Sequence, residues 1–308
     1  MTDSLVDGMK LQGDPHMKTN QRLDQALKHA QVIEFDSSSK FILLSDVHRG
    51  DDSVSDEFTK NRTIFLRMMD YYYDHGYHYI EVGDGEDLWE YKEFKIIRLA
   101  HADVYKRMKR FYDQKRLTLI YGNHNMQLKY PHYVKTHLFR FCDEFNENCE
   151  DLFPEIKPQE SVLLRSRETG KSFLVIHGHQ GDLFNDQLWR GTAFLHHNVW
   201  RYLHVVGFRS PTSPAKVVFK RHKIEMNFVG WIRSRKQPII CGHTHRARFP
   251  RSNQAPYYNT GCAINIKGVT GIEIVDGNIQ LVDWRTFADR EGVVRVMRKV
   301  LAGPRKVC

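Results

Sequence analysis

Five short apolar runs in this chain each lead directly into side chains of the types that bind metal ions. The runs and the groups that follow them are Phe41–Leu44 with Asp46-Val47-His48, Tyr79–Val82 with Gly83-Asp84, Leu117–Ile120 with Gly122-Asn123-His124, Phe173–Ile176 with His177-Gly178-His179, and Ile239–Cys241 with Gly242-His243-Thr244-His245. Such runs predict buried β-strands. Parallel strands end at one edge of a sheet, where open α/β sheets place their sites. Because carboxylate, amide and imidazole groups bind divalent metals, the sequence predicts an α/β fold with a metal site at that edge.

The order of these motifs, D-x-H, G-D, G-N-H, H-G-H and G-H-T-H, resembles that of the calcineurin-like metallophosphoesterases. The motifs extend from Asp46 to His245, about two thirds of the chain. Several motifs in one order, each at a strand end, are far more specific than any one of them alone. The resemblance implies a two-sheet α/β sandwich flanked by helices. It also implies an enzyme that hydrolyses phosphoester or pyrophosphate bonds with two metal ions.

The same resemblance implies which side chains hold the metals. Asp46, His48 and His245 would hold one ion, Asn123, His177 and His243 the other, and Asp84 would bridge both. Two such ions about 3.5–4 Å apart lower the pKa of a shared water, and the resulting hydroxide attacks phosphorus. We expect Mn²⁺. Fe, Zn and Co are alternatives, because the nitrogen and oxygen ligands suit all four metals and affinity alone does not select among them.

His124 resembles the catalytic histidine of the family, which protonates the leaving oxygen or binds the phosphoryl group. The family usually has Asp or Glu at the next position, where this chain has Asn125. An amide carries no charge, so we expect His124 to be protonated less readily than a carboxylate-paired imidazole. Arg49 is expected to contact the substrate phosphate, or else to form a surface salt bridge. His179 is expected to face the substrate or support a ligand, and Asp87 either orients a ligand imidazole or is a solvated loop acid.

The composition is that of a globular protein with anionic partners. The 308 residues carry a net charge of +9 and are 41% hydrophobic and 27% charged. No apolar stretch reaches the roughly 18 residues of a membrane span, and the N-terminus has no signal-peptide core. The five cysteines indicate reduced thiols in the cytosol, and free thiols are favoured over a pair of Cys142 with Cys149. We therefore expect a cytoplasmic protein, with peripheral contact at the inner membrane surface as an alternative.

The chain divides into a leader, one large domain and a tail. Residues 1–21 are expected to form a flexible leader, 22–285 the metallophosphoesterase domain, and 286–308 a basic tail with a helix from Glu291 to Leu301. An aromatic and basic insert at about 180–235 interrupts the strand pattern. It is either a helical cap over the metal crevice or a helix pair packed on the sheet. A cap would offer an apolar groove with a basic rim, and a contact for a membrane surface.

Three functions are compatible with these features. The insert is similar to the acyl-binding cap of the UDP-2,3-diacylglucosamine pyrophosphohydrolases, which implies a nucleotide-lipid pyrophosphate as substrate. Those enzymes commonly carry Arg where this chain has His124. The second possibility is a phosphodiesterase or phosphatase on soluble nucleotides, nucleic acid or phosphoproteins, steered by the basic surface. The third is a binding module without catalysis, against which the complete ligand set argues.

Overall fold

Thirteen strands and six α-helices make up the part of the chain that the computed structural model describes, residues 19–143, 148–181, 218–266 and 268–308. The strands are β1 (Gln31–Phe35), β2 (Phe41–Leu44), β3 (His78–Val82), β4 (Leu117–Ile120), β5 (Arg140–Asp143), β6 (Asn148–Asp151), β7 (Ser161–Ser166), β8 (Ser172–Ile176), β9 (Ile239–Cys241), β10 (Tyr257–Asn259), β11 (Val269–Val275), β12 (Asn278–Ala288) and β13 (Val294–Lys306). The helices are α1 (Thr19–His29), α2 (Arg62–Asp74), α3 (Phe94–Ala100), α4 (Ala102–Asp113), α5 (Pro131–Leu138) and α6 (Val218–Arg235). Of the expected leader, residues 1–18 lie outside this part, and α1 begins at Thr19.

Two sheets pack face to face between layers of helices. One has the strand order β1-β7-β8-β9-β10 and the other β13-β12-β11-β2-β3-β4. In β2, Phe41 and Leu43 enter the core between the sheets, whereas Ile42 and Leu44 face helices α2 to α5. This alternation is the two-residue period of a strand with both faces buried. Helices α1 and α6 cover the outer face of the five-stranded sheet. The predicted two-sheet α/β sandwich flanked by helices is confirmed.

Parallel pairing brings the metal-binding motifs to one edge of the molecule. Strand β2 pairs in parallel with β3, and β3 with β4; in the other sheet β8 pairs in parallel with β9. The loops after these strands are joined by backbone hydrogen bonds. Asp46 N–H donates to Gly83 O over 3.1 Å, and Gly242 N–H donates to His177 O over 2.8 Å. The carboxyl ends of strands from both sheets therefore line a common crevice.

The helix expected from Glu291 to Leu301 is wrong, and the residues after 285 are not a separate tail. They continue β12 and form β13 at the edge of the six-stranded sheet, with Phe287 opposite Arg295. Arg298 of β13 donates to the buried carboxylate of Glu273 over 2.7 Å. The valines of this segment favour extended backbone, and the ladder to β12 supplies hydrogen bonds that a helix would otherwise provide.

Cys142 and Cys149 form a disulfide, so the expectation of reduced thiols is wrong for this pair. The two residues face each other across β5 and β6, and their Cα atoms lie 4.1 Å apart. A directly opposed pair in an antiparallel hairpin is close enough to be bridged. The other three cysteines, Cys241, Cys262 and Cys308, are free and buried.

Most of the insert at 180–235 lies outside the described residues, so its role as a cap stays a prediction. Its described end, α6, packs on the outer face of the five-stranded sheet. There Phe228 and Trp231 are buried with Leu174 and Ile239. Trp231 Nε1 also donates to Asp24 Oδ1 of α1 over 2.9 Å. For α6 this matches the alternative of a helix packed on the sheet. Within the described ranges, no helix has the length and apolar character to cross a bilayer.

Candidate metal centre

Five of the expected metal ligands have a left-handed backbone. The φ angle is 52° at Asp46, 50° at His48, 52° at Asp84, 67° at His243 and 52° at His245. This conformation is uncommon for residues other than glycine and costs about 1 kcal/mol or more at each position. Such residues persist where the surrounding structure holds them, and they cluster at functional sites. Here they follow the ends of β2, β3 and β9.

The first group of expected ligands is Asp46, His48 and His245. His245 Nε2 lies 3.0 Å from Asp46 Oδ1 and 3.2 Å from His48 Nε2. Despite this contact, Asp46 Oδ1 accepts no hydrogen bond of good geometry from the described residues. The other oxygen, Oδ2, accepts from the backbone N–H of His243 over 2.9 Å, which fixes the carboxylate. One oxygen and two imidazole nitrogens thus converge on one point, as the ligands of a metal ion do.

The second group contains Asp84, His177 and His243, with Asn123 beside them. One potential ligand atom from each of the first three lies within 4.8 Å of the others. His177 Nε2 is 3.0 Å from Asp84 Oδ2 and 3.2 Å from Asn123 Oδ1. Asp84 Oδ2 is also 3.9 Å from His48 Nε2. This carboxylate therefore lies between the two groups, as the bridging role requires.

The hydrogen bonding of His177 is compatible with a cation at this point. His177 Nδ1 lies 2.9 Å from the backbone oxygen of Val82, which can only accept, so Nδ1 carries the proton. In a neutral imidazole Nε2 then carries a lone pair, which faces the oxygens of Asp84 and Asn123. The Nε2 lone pair lies 3.0 Å and 3.2 Å from these two oxygens and is repelled by theirs unless a proton or a metal ion lies among them. The donor set of this chain therefore fits a bound cation.

The ionisable groups of the centre also favour a bound cation. Burial raises the pKa of Asp46, Asp84 and Asp87, but nearby imidazole groups lower it more, so each pKa lies below its ordinary value. Burial lowers the pKa of His48 and His177, but the carboxylates raise it more. Ionised carboxylates buried among imidazoles form a site that attracts positive charge.

Asp87 joins His48 and His124 and forms a third cluster. Its Oδ1 lies 2.8 Å from His124 Nδ1, and its Oδ2 lies 3.5 Å from His48 Nδ1. The three side chains are close enough to hold an ion. However, a neutral His48 that binds a metal through Nε2 keeps its proton on Nδ1 and cannot bind a second ion there. Asp87 is therefore best placed to orient both rings, as carboxylates behind metal-bound histidines do.

The expectation that His124 lacks a carboxylate partner is wrong, because Asp87 takes that place. Asn125 points elsewhere. Its Oδ1 accepts from Gly122 N–H over 2.6 Å, and its Nδ2 donates to Glu86 Oε2 over 3.0 Å. The amide therefore braces the turn that carries Asn123, an expected ligand, and does not contact the imidazole of His124.

Arg49 does not face the crevice. Its fully buried guanidinium donates to the two oxygens of Glu81 over 2.8 and 2.7 Å and to Glu86 over 2.7 Å. The ring of Tyr105 lies 5.2 Å from its charge. A cation held by two buried carboxylates cannot turn to a substrate phosphate. The expected phosphate contact and the alternative of a surface salt bridge are therefore both wrong, and Arg49 ties the loop after β2 to β3 and to the loop that follows β3.

His179 is also buried, with its ring centroid 5.6 Å from that of His177. Burial, and then the charges of His177 and His243, lower its pKa well below the ordinary value. A buried, uncharged imidazole beside His177 is compatible with the first of the two expected roles, support of a ligand, which stays a prediction.

The sequence motifs did not predict two residues that belong to the site, Trp89 and Glu86. Trp89 stacks on His124 with ring centroids 4.2 Å apart and an angle of 22° between the planes. Glu86 holds Arg49, Asn125 and the hydroxyl of Tyr105. Both lie in the loop after Asp84, and the acids at 84, 86 and 87 were the available signal that this loop builds the site.

No known family model matches this chain, and no curated protein matches it. Solved structures that match include vacuolar protein sorting 29 from Cryptosporidium parvum, at 12% identity and a TM-score of 0.36 over 86% of this chain and 98% of that one. A cold-active protein-tyrosine phosphatase from a Shewanella species matches at 13% identity and a TM-score of 0.39, over 88% of this chain and 83% of that one. An archaeal phosphodiesterase matches at 14% identity and a TM-score of 0.33, over 84% of this chain and 99% of that one. At these identities and TM-scores the matches carry no conclusion about the function of this chain.

Proposed function

We propose that this chain is a metal-dependent phosphohydrolase of the calcineurin-like type. The observation that carries the proposal is the arrangement at His177, where an imidazole lone pair meets oxygens of Asp84 and Asn123. A cation among these atoms relieves the repulsion. The remaining expected ligands lie around the same crevice, at the edge where open α/β sheets bind their ligands.

The residues present fit two divalent ions. Asp46, His48 and His245 would hold one, Asn123, His177 and His243 the other, and Asp84 would contact both. When bound, such ions polarise the phosphoryl oxygens and make a water acidic enough to act as the nucleophile at neutral pH. We propose Mn²⁺, with Fe, Zn and Co as the alternatives to test.

We assign His124 to proton transfer at the leaving oxygen. Its Nδ1 is engaged by Asp87 at 2.8 Å, and its face is held by the Trp89 ring. The ring orientation is therefore fixed, and proton transfer would run through Nε2. The partly exposed side chain of His124 lies beside the ligand group, since its ring centroid is 4.6 Å from that of His48.

The test is hydrolysis of an aryl phosphodiester and an aryl phosphomonoester by metal-depleted protein, before and after each metal is restored. We expect activity to return with metal and to be lost, together with bound metal, in Asp84→Ala. The matched control is Asp113→Ala on the exposed end of α4, which should behave as wild type. An Asp84→Ala protein that keeps both metal and activity would overturn the assignment. Metal binding without hydrolysis of either ester would instead favour the binding module.

Within this class we propose a nucleotide-lipid pyrophosphate of the UDP-2,3-diacylglucosamine type as the first substrate to test. The aromatic and basic composition of residues 180–235 and the net charge of +9 support it. Such a substrate would place the protein in the cytoplasm, at the inner membrane surface. Turnover to UMP and a lipid phosphate would support the pyrophosphohydrolase. No turnover, from protein that cleaves the aryl ester, would favour soluble nucleotides, nucleic acid or phosphoproteins.

A further inference from the structure

The last hairpin of the chain extends beyond the sheet to which it belongs. Trp284 is the last residue of β12 with a partner in β11, where it pairs with Val269. The next four residues, 285–288, pair with 294–297 of β13. We call residues 285–297 the ribbon. Beyond Trp284 strand β12 has no partner in β11, so the ribbon is only two strands wide.

The ribbon projects from the edge that carries the metal-binding loops. Strand β11 runs antiparallel to β2, with Ile272 opposite Leu43, so the first residues of β11 lie past the carboxyl end of β2. The loop before β11 contacts the first ligand group directly, since Ala263 N–H donates to Asp46 O over 3.1 Å. Strand β12 reverses again and therefore leaves the sheet at the crevice edge.

Large apolar side chains are exposed on both faces of the ribbon. Phe287 is 56% exposed and Met297 is 49% exposed on one face, and Val294 is 66% exposed on the other. Val293, beside the turn, is exposed as well. Isolated exposed apolar residues are ordinary on a protein surface, but a group of them on a projecting element indicates a contact surface.

The charges of this region indicate the chemistry of the partner. Residues 285–299 include five basic side chains, Arg285, Arg290, Arg295, Arg298 and Lys299, and two acidic ones, Asp289 and Glu291. Arg285, Arg295 and Arg298 pair with Asp283, Asp289 and Glu273. With Asp283 and Glu273 counted as well, five basic side chains stand against four carboxylates, and the excess of one positive charge lies with the exposed Arg290 and Lys299.

A second copy of the chain is a poor occupant. Edge strands that pair about a two-fold axis run antiparallel, and an axis within residues 294–299 would set the basic cluster of Arg295, Arg298 and Lys299 against the same cluster of the other copy. Like charges across a strand pair are destabilising. Nucleic acid would suit the charge, but among the exposed apolar side chains only Phe287 offers a ring on which a base could stack, whereas Val293, Val294 and Met297 are aliphatic.

We propose that the ribbon docks the crevice edge of this protein on an anionic phospholipid bilayer. Phe287, Val294 and Met297 would enter the interface, and the basic side chains would reach the lipid phosphates. The crevice edge would then face the membrane surface. The docking does not depend on hydrolysis, so it stands or falls separately from the proposed activity.

The test is co-sedimentation of the full chain with vesicles of phosphatidylglycerol mixed with phosphatidylcholine, and with phosphatidylcholine alone. We expect binding to the mixed vesicles and little to the neutral ones. The double variant Phe287→Ser/Met297→Ser should lower the partition coefficient about tenfold or more, because it removes apolar area from the interface. Met226→Ser is the matched control, since Met226 is 51% exposed on α6.

A second variant, Arg290→Glu/Lys299→Glu, tests the charge without altering the apolar residues. It should lower binding to the mixed vesicles by about tenfold or more, and added salt should weaken wild-type binding. Unchanged hydrolysis of a soluble ester, or unchanged circular dichroism if the protein is inactive, shows that the variants fold. Three results would overturn the proposal: no binding to mixed vesicles, equal binding by the Phe287→Ser/Met297→Ser and Met226→Ser variants, or a dimer that dissociates when the ribbon is changed. Loss of nucleic-acid binding in place of lipid binding would also reject it.

Discussion

Asn125→Asp should destabilise the protein by about 4 kcal/mol at pH 7, and the deficit should shrink as the pH falls. Asn125 and Glu86 are both buried, and the amide nitrogen lies 3.0 Å from the carboxylate oxygen. The substitution replaces a hydrogen-bond donor with a second carboxylate of the same size. It keeps the acceptor that holds Gly122 N–H. The perturbation is therefore electrostatic, with little change in packing.

The magnitude follows from the distance. Two charges about 3 Å apart repel by about 5 kcal/mol at an effective dielectric constant of about 20. The pair can lower this cost by binding a proton, which at pH 7 requires raising a carboxyl pKa by about 3 units, or about 4 kcal/mol. The introduced carboxyl then has a folded pKa above its unfolded value. Its stabilising protonation is complete at low pH and is lost as the pH rises, so the deficit grows by about 1.4 kcal/mol per pH unit above about pH 4.

The assay is urea unfolding of four proteins at several pH values: wild type, Asn125→Asp, Glu86→Gln, and the double variant. A glutamine at 86 can accept from Arg49 and donate to the new carboxylate, so the double variant should recover about 2 kcal/mol or more of the loss. Asn253→Asp, at an exposed position, controls for the chemical change. Additive effects, or a deficit independent of pH, would refute the reasoning.

Three further predictions concern packing, catalysis and pH. Gly122→Ala should lower the free energy of unfolding by about 1–3 kcal/mol and remove most activity, because the new Cβ would lie 2.1 Å from Asp84 Oδ1. The control is Gly230→Ala, where no atom lies within 4 Å of the new Cβ. Asp87→Asn should lower kcat/KM about 10- to 100-fold in steady-state assays, because the two imidazoles it orients lose a charged partner. Burial lowers the pKa of His78 to about 4 from 6.5. Its folded pKa is depressed, so it stabilises the protein above pH 6.5 and that contribution, about 2–3 kcal/mol, is lost as the pH falls to 4. In urea unfolding, His78→Asn should therefore lose less stability than wild type over this range.

Each of these has a contradicting result. Equal unfolding free energies for the Gly122 and Gly230 variants would mean that the turn at Asp84 yields easily. An Asp87→Asn enzyme with unchanged kcat/KM would show that the aspartate has no part in positioning. Parallel pH curves for wild type and His78→Asn would remove His78 as a source of acid sensitivity.

The sequence predicts the convergence of the ligands well because each one follows its own strand. Asp46 stands two residues after β2, and Asp84 stands two residues after β3. Parallel pairing, which the apolar runs predict, then carries both to one edge. The two-sheet arrangement was implied by the resemblance and not by the apolar runs, since strands buried on both faces can be covered by helices or by a second sheet.

What the sequence did not predict depends on partners far along the chain. Asp87 replaces the expected partner of His124 from 37 residues away, and Glu81 turns Arg49 inward from 32 residues away. The helix expected after residue 290 failed because local propensity was weighed without the ladder to β12. In the same way, Cys142 meets its partner through a hairpin register that cysteine spacing alone does not define.

The left-handed backbone at five ligand positions has a consequence for how this protein can change. Replacing His48 or His245 by glycine would relieve about 1 kcal/mol of backbone strain, but it would also remove an imidazole. Across the five positions the strain approaches the net stability of a small protein. A selection for thermal stability alone would therefore favour variants that erase this centre. Stabilised versions of the protein should be sought away from the crevice, with activity monitored at every round.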